Sequence, residues 1–162
     1  MPEDAQSRRR QPSRRALLAA GGWLVVACPV VAAELPGAAD SPALAAALAR
    51  YAGAAPVREG RVQLELSELV ENGNAVPVRV WVDSPMTPQE HVVSLALFTG
   101  RNPQPDVAVF HLGEQAGRAE VHTRMRLATS QTVLAAARLS DGSVWTRRMG
   151  VLVTLAACVE GD

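Results

Sequence analysis

Cys158 is the side chain in this sequence whose type and place most favour chemistry, because only four residues follow it. A thiolate attacks sulfur readily and forms bonds to sulfur that can be broken again, so an exposed thiol can hold a cargo and present it to one protein after another. Chain ends are usually exposed, and burial is therefore the least expected state of this thiol. A disulfide with another chain and use as a reactive group both stay open from spacing alone.

The three histidines, His91, His111 and His122, lie on different predicted strands, and none has a partner at the spacing of a metal site. The sequence contains no HExxH, CxxC, GxSxG, phosphate-loop or dinucleotide-binding motif. We therefore interpret the histidines as strand-surface or hydrogen-bonded core residues, and an enzyme activity of the chain itself is weakly supported. The prediction is a protein with no catalytic residue, no metal site and no cofactor.

Arginine is the other residue type that needs an interpretation, because the sequence contains no lysine. Arg124 and Arg126 alternate along one predicted strand, and Arg147 and Arg148 lie on another. Such residues attract an anionic partner or ligand. A solvated strand face paired with neighbouring glutamates explains them equally well, and we favour that second interpretation.

Residues 1–33 have the layout of a secretory signal, with an arginine-rich start followed by an uncharged stretch. Arg14 and Arg15, followed by two leucines, resemble a twin-arginine export signal, with an ordinary secretory signal as the alternative. Cleavage before Glu34 would leave Cys158 as the one remaining cysteine. The sequence thus predicts a periplasmic protein exported by the twin-arginine route.

A membrane anchor and a lipid anchor are the two alternatives to a cleaved leader. Its strongly apolar positions are fewer than the roughly 20 that a spanning helix needs, so we predict no membrane association after cleavage. The segment VVAC ending at Cys28 has the small-residue pattern of a lipoprotein site, although Pro29 follows it directly. Lipid attachment at Cys28 therefore stays open.

Composition indicates one ordinary globular domain. The 162 residues are 48% hydrophobic and 20% charged, which is enough to bury a core. The formal net charge is zero, and a general nucleic-acid binder would normally have a basic excess. We predict no nucleic-acid partner.

The elements that must position these side chains are mostly strands. A short helix is predicted from Pro42, with Ser41 as N-cap and Gly53 as its end. Period-two alternation and frequent turns without helical crossovers then favour a β-sandwich. The segment QTVLAAARL has the alanines of a helix, but the hairpin signal SDGS after it favours a strand. About seven strands are predicted, over residues 62–67, 76–83, 91–98, 107–112, 119–127, 131–139 and 144–155.

Several blocks of the sequence, taken in order, resemble SoxY, the sulfur-carrier subunit of the thiosulfate-oxidising Sox system. They are ENGNAVPVRVWVDSPMT, NPQPDVAVFHL, GRAEVHTRMRLATSQTVLAAARLSDGSVW and VLVTLAAC. The resemblance implies an all-β fold, an immunoglobulin-like antiparallel β-sandwich with a short N-terminal helix after the signal peptide. It also implies a twin-arginine leader and a heterodimer with a SoxZ-like subunit.

The resemblance further implies that Cys158 is the covalent sulfur-carrier thiol. In the family this cysteine is loaded with thiosulfate by a c-type haem complex, trimmed by a sulfate-releasing hydrolase and oxidised further by a sulfane dehydrogenase. The protein would then be a carrier, and not an enzyme. The alternative is a divergent SoxY paralogue that acts as a non-catalytic binding or scaffolding β-sandwich, with Cys158 dispensable.

The predicted organisation has four parts. Residues 1–33 are the signal peptide, 34–54 a helical segment, 55–155 the β-sandwich and 156–162 a carrier tail. The family's tail is Gly-Gly-Cys-Gly-Gly, whereas here Ala156-Ala157 precede the cysteine and Val159-Glu160-Gly161-Asp162 follow it. Because glycine gives an arm its freedom, these residues predict a stiffer and thicker tail.

Overall fold

Helix α1, Pro42–Ala52, begins and ends where the sequence predicts. The computed structural model describes residues 41–157, so Arg14, Arg15, Cys28 and Cys158 lie outside the described residues. The Ser41 hydroxyl accepts a hydrogen bond from the Leu44 amide at 3.1 Å, as an N-cap does. Gly53 ends the helix with a φ of 59°, a conformation that favours glycine.

Nine strands follow the helix within the described range. They are β1 (Val57–Glu59), β2 (Val62–Glu65), β3 (Leu69–Asn72), β4 (Val76–Val82), β5 (Val92–Thr99), β6 (Asp106–His111), β7 (Ala119–Met125), β8 (Gln131–Leu139) and β9 (Val144–Leu155). One short 3-10 turn, Glu114–Ala116, precedes β7. None of the described helices has the length and apolar character needed to cross a membrane.

The strands form two sheets. The larger sheet has the order β1-β9-β8-β5-β6, with β3 also paired to β9, and the smaller has the order β2-β4-β7. The pairs within β9-β8-β5-β6 and within β2-β4-β7 are antiparallel. β1 and β3 instead run parallel to β9, one after the other along its edge.

The main core lies between the two sheets. On β4, Val76, Val78, Val80 and Val82 are all buried while the residues between them are not, as period-two alternation predicts. Side chains of β8 and β5 meet these valines from the larger sheet. The burial of many such side chains, about 1.5 to 3 kcal/mol each, holds the two sheets together.

β8 explains why an alanine-rich segment is a strand here. Its Val133, Ala135 and Ala137 face the main core, whereas Leu134 and Ala136 face α1 in a second, smaller cluster. The strand is therefore covered on both sides, and small side chains let the helix pack closely against it. Tertiary burial thus overrides the helix propensity of alanine.

The predicted all-β, immunoglobulin-like sandwich with a short helix before its strands is confirmed, with two changes. The sequence predicts about seven strands, and the described residues contain nine, because β1 and β3 were missed. These two strands have three and four residues and are mostly exposed, so they have no clear alternation of burial. Their parallel pairing with β9 is the exception to the predicted antiparallel arrangement.

Candidate functional site

The candidate site is the base of the C-terminal tail, because Cys158 follows directly after the last described residue, Ala157. Strand β9 brings the chain to this point. It has 12 residues and pairs with β8 along one edge and with β1 and then β3 along the other. β8 pairs with β9 as far as Val151 and β3 pairs with it from Leu152 to Leu155, so backbone pairing continues almost to the tail.

At the end of β9, three backbone segments meet at one place, which we call the tail interlock and which consists of Gly73, Leu127 and the pair Leu155 and Ala157. The Gly73 amide donates to the Leu155 carbonyl at 2.8 Å, and the Leu127 amide donates to the Gly73 carbonyl at 2.8 Å. The Ala157 amide then donates to the Leu127 carbonyl at 3.1 Å. Each segment is thus bonded to the next, and the last bond holds the residue directly before Cys158.

Gly73 occupies a position in the interlock where no larger residue fits. A Cβ built on it would lie 2.3 Å from the Leu127 carbonyl oxygen and 2.9 Å from the Ala157 nitrogen. Both neighbours are backbone atoms, which cannot move aside as a flexible side chain can. Gly73 is therefore required by close packing of three backbones.

Burial agrees with the hydrogen bonds of the interlock at Ala157. Ala157 is only 5% exposed and Leu127 is fully buried, whereas Leu155, two residues earlier, is 60% exposed. The chain thus passes over the surface at Leu155 and Ala156 and enters the protein again at Ala157. The residue before Cys158 is a packed part of the sandwich.

Side chains from neighbouring loops support the same region. The Thr154 hydroxyl donates to the Glu71 carbonyl at 3.1 Å, and the Ser130 hydroxyl accepts from the Val153 amide at 2.9 Å. In the turn that contains Gly73, the Asn72 side-chain oxygen accepts from the Asn74 amide at 2.9 Å, a local turn geometry that asparagine favours. These contacts fix the turn and the last residues of β9 against each other.

Three leucines on β3 and on the second half of β9 are exposed: Leu69, Leu152 and Leu155. They are 58%, 43% and 60% exposed. Leu69 and Leu152 are register partners on the paired strands β3 and β9, so their side chains leave the same face of the sheet. Leu155 is three residues from Leu152, and because side chains alternate along a strand it leaves the opposite face of β9.

The histidines lie apart from the tail base. The His91 ring is within hydrogen-bond distance, 3.0 Å, of the Thr87 carbonyl, and His111 is exposed at the end of β6. His122 lies on β7, and its Nε2 contacts the Glu120 carboxylate at 2.6 Å. Among residues 41–157, no group of three or more His, Cys, Asp or Glu side chains is arranged to hold a metal ion.

The exposed face of the β2-β4-β7 sheet has a charged cluster centred on Glu120. His122 and Arg79 both contact this carboxylate, Arg79 through its Nε at 2.7 Å. The hydrogen bond of His122 has the largest effect on the pKa of Glu120 and that of Arg79 the next largest, and both lower it. The Arg79 guanidinium also lies 4.4 Å from the Trp81 ring centroid. Arg79 is thus paired and stacked, which leaves little of its charge free for a ligand.

The predicted arginines do not form one common face. Arg124 is on β7 in the smaller sheet, whereas Arg147 and Arg148 are on β9 in the larger one. Arg148 contacts Glu59 at 2.6 Å, in agreement with the interpretation of arginines paired with glutamates. The sequence alone assigns no role to Arg79. It joins the cluster because it is the register partner of His122 in the pairing of β4 with β7.

Comparison with known proteins decides the family. The family model described as sulfur oxidation protein SoxY matches residues 48–158, which includes all nine strands and Cys158. The chain belongs to the SoxY family. The resemblance noted from the sequence blocks is therefore confirmed.

Solved structures give the same answer. The sulfur carrier protein SoxY from Chlorobium limicola f thiosulfatophilum has a TM-score of 0.59 and 29% sequence identity to this chain, covering 69% of this chain and 96% of that one. No curated protein sequence matches the chain.

Two more distant structures share the fold alone. The superoxide reductase (neelaredoxin) from Ignicoccus hospitalis has a TM-score of 0.53 at 17% identity, covering 58% of this chain and 80% of that one. The superoxide reductase from Nanoarchaeum equitans has a TM-score of 0.50 at 10% identity, covering 59% and 100%. At these identities they show that SoxY-family chains and superoxide reductases use one type of sandwich.

Proposed function

We propose that the chain is a periplasmic sulfur carrier that binds sulfur intermediates covalently on Cys158 during the oxidation of thiosulfate or another reduced sulfur compound. The observation that supports this most strongly is that the SoxY family match extends over the sandwich and ends at Cys158. The SoxY structure similar to it is described as a sulfur carrier protein. Strand β9 and the tail interlock add a physical reason, because they bring the chain to one end of the sandwich directly before this cysteine.

The chemistry proposed at Cys158 is sulfur-for-sulfur bond formation. In loading, the S–H bond of the thiol breaks and a disulfide bond forms to the outer sulfur of thiosulfate, with release of one proton and two electrons. A c-type haem complex accepts the electrons. A hydrolase then adds water to the terminal sulfonate and releases sulfate and a proton, which leaves a persulfide on the cysteine.

The remaining sulfane sulfur is oxidised by a sulfane dehydrogenase, which takes up the electrons while water supplies the oxygen. In this scheme the chain itself catalyses nothing and serves as the substrate of each enzyme in turn. A SoxZ-like subunit completes the carrier as a heterodimer. Family membership supports Sox-type partners in general, and these specific partners are part of the proposal.

The location follows from the leader. Arg14 and Arg15 direct export by the twin-arginine route, and cleavage before Glu34 removes Cys28. Export in a folded state suits a protein that pairs with a SoxZ-like subunit before it crosses the membrane. Replacement of Arg14 and Arg15 by lysines should leave the protein, with its leader attached, in the cytoplasm, and export of that variant at the native level would contradict this route.

Reconstitution tests the proposed function. With the haem complex, hydrolase, dehydrogenase and SoxZ-like subunit present, thiosulfate should reduce cytochrome c when the native chain is added and should fail to do so with Cys158→Ser. Ser140→Ala, in the turn between β8 and β9 at the end of β9 away from the tail, offers a control that leaves the thiol in place. Full activity of Cys158→Ser would instead favour the alternative, a binding or scaffolding sandwich that does not use this thiol.

A further inference from the structure

Three arginines at one end of the sandwich have no carboxylate partner among the described residues. Other arginines contact carboxylates or stack on aromatic rings, namely Arg50, Arg61, Arg79, Arg148, Arg58 and Arg138. Arg101, Arg124 and Arg126 are exposed, and within residues 41–157 no ion pair includes any of them. The interpretation of arginines paired with glutamates therefore does not extend to Arg124 and Arg126.

The hydrogen bonds of the tail interlock show which end of the body these arginines occupy. Arg126 directly precedes Leu127, whose carbonyl accepts from the Ala157 amide at 3.1 Å. Arg124 is two residues earlier on the same strand, so its Cα is at most about 7 Å from that of Arg126. We call Arg101, Arg124 and Arg126 the basic end.

A buried glutamine and a neighbouring asparagine hold Arg101 beside Arg126. Gln131 is fully buried, and its Oε1 accepts from the Arg101 amide at 2.7 Å while its Nε2 donates to the Asn102 Oδ1 at 2.8 Å. The Asn102 Nδ2 donates to the Arg126 carbonyl at 2.8 Å, and its Oδ1 also accepts from the Ala128 amide at 2.9 Å. These bonds join the β5–β6 loop and the β7–β8 loop into one unit that carries two of the three arginines.

The carboxylates on the adjoining segments do not cancel the charge of the basic end. Asp106, which follows the β5–β6 loop, is paired with Arg50 at 2.6 Å. Glu71 on β3, whose carbonyl accepts from the Thr154 hydroxyl, adds one negative charge near three positive ones. Such a surface attracts a negatively charged partner over about one Debye length, which is about 10 Å at 0.1 M salt.

We propose that the basic end is the docking surface for an acidic surface of the enzyme that loads Cys158, an inference that rests on the proposed function. Cys158 is covalently joined to Ala157, so that enzyme must approach this end of the body whatever conformation the tail adopts. A single small oxyanion is a poorer occupant, because the arginines extend over a strand and a separate loop, and no contact among the described residues brings their guanidinium groups together. Carboxylates spread over a protein surface fit this spacing, and such complementary charges act mainly on the rate of encounter.

Loading kinetics at two salt concentrations test the docking surface. The chain with its SoxZ-like subunit is combined with thiosulfate and the haem complex, and kcat/KM is measured with the chain as the varied substrate. Arg124→Gln together with Arg126→Gln should lower kcat/KM about tenfold at about 20 mM salt, through a higher KM for the chain with kcat unchanged. In about 0.5 M salt, screening should reduce this difference to less than about twofold.

The matched control is Arg118→Gln together with Arg147→Gln, which changes the net charge by the same amount. Both arginines are exposed and outside the ion pairs of the described residues. Arg118 directly precedes β7, at the end of this strand away from Met125, and Arg147 is about 26 Å from Leu155 along β9 at about 3.3 Å per residue. This control should load with the native kcat/KM at both salt concentrations.

Several outcomes would overturn the docking surface. Equal losses in the two double variants would show an effect of net charge alone, and a higher KM for thiosulfate with an unchanged KM for the chain would show that the arginines bind the small anion. Release of the SoxZ-like subunit from the Arg124 and Arg126 variant in size-exclusion chromatography would assign these arginines to the heterodimer interface.

Failure of the docking surface is distinguishable from failure of the proposed function. Native kinetics of the Arg124 and Arg126 variant, together with no loading of Cys158→Ser, would overturn the docking surface and leave the proposed function intact. Absence of loading in the native chain at both salt concentrations would overturn the proposed function and this inference with it.

Discussion

Gly73→Ala should destabilise the protein more than an ordinary glycine substitution, and the structure gives the size of the effect. The added methyl group would lie 2.3 Å from the Leu127 oxygen and 2.9 Å from the Ala157 nitrogen, so these backbones must separate. Overpacking of this kind costs about 1 to 3 kcal/mol. Loss of the Ala157–Leu127 hydrogen bond adds about 1 kcal/mol. The expected decrease in the free energy of unfolding is therefore about 2 to 4 kcal/mol.

Urea unfolding followed by circular dichroism measures this decrease, with Gly150→Ala as the matched control. Gly150 lies within β9, and a Cβ there would meet nothing within 4 Å. Because glycine weakens a strand interior by about 0.5 to 1 kcal/mol relative to alanine, this control should be neutral or slightly stabilising. If Gly73→Ala and Gly150→Ala unfold at the same midpoint urea concentration, the inference that Gly73 is closely packed in the interlock is wrong.

Two other substitutions test the body of the sandwich. Leu44→Ala should lower the free energy of unfolding by about 2 to 5 kcal/mol, because this side chain of α1 is fully buried against the larger sheet. The exposed Leu69→Ala is its control, and equal effects of the two in urea unfolding would show that the helix does not pack on the sheet. Glu120→Gln should destabilise the protein at pH 7, because hydrogen bonds from His122 and Arg79 lower the pKa of Glu120 from its usual 4.5. This contribution is present above pH 4.5 and is lost as the pH falls through the lowered pKa, so the native and variant unfolding curves should converge in acid, and a difference independent of pH would refute it.

Much of the fold was predictable from the sequence because the two sheets depend on simple alternation. Val76 to Val82 alternate in the sequence as they do in burial, and Ser41, Pro42 and Gly53 mark the helix as expected. The short strands β1 and β3 were not predictable in the same way. Their few residues are mostly exposed, and what fixes them is the long edge of β9, which is a tertiary partner.

The sequence offers Cys158 as the candidate site, but it does not show how the chain before this residue is held. The position of Cys158 and the family blocks pointed to a carrier thiol, and the alanines before it indicated a stiffer tail. No sequence pattern showed that Ala157 would be held by Leu127, because the contact joins segments 30 residues apart. Gly73 lies between the predicted strands 62–67 and 76–83, and its role in close packing is visible only where three backbones meet.

Intact mass spectrometry of the native chain tests the central claim most directly. The protein, with its SoxZ-like subunit, is incubated with thiosulfate and the oxidised haem complex and then analysed without reductant. The account predicts a mass increase of one S₂O₃ unit that maps to Cys158, is reversed by a thiol reductant and is absent from Cys158→Ser. An unmodified thiol at the end of this incubation, or the same adduct on Cys158→Ser, would contradict the assignment of Cys158 as the carrier.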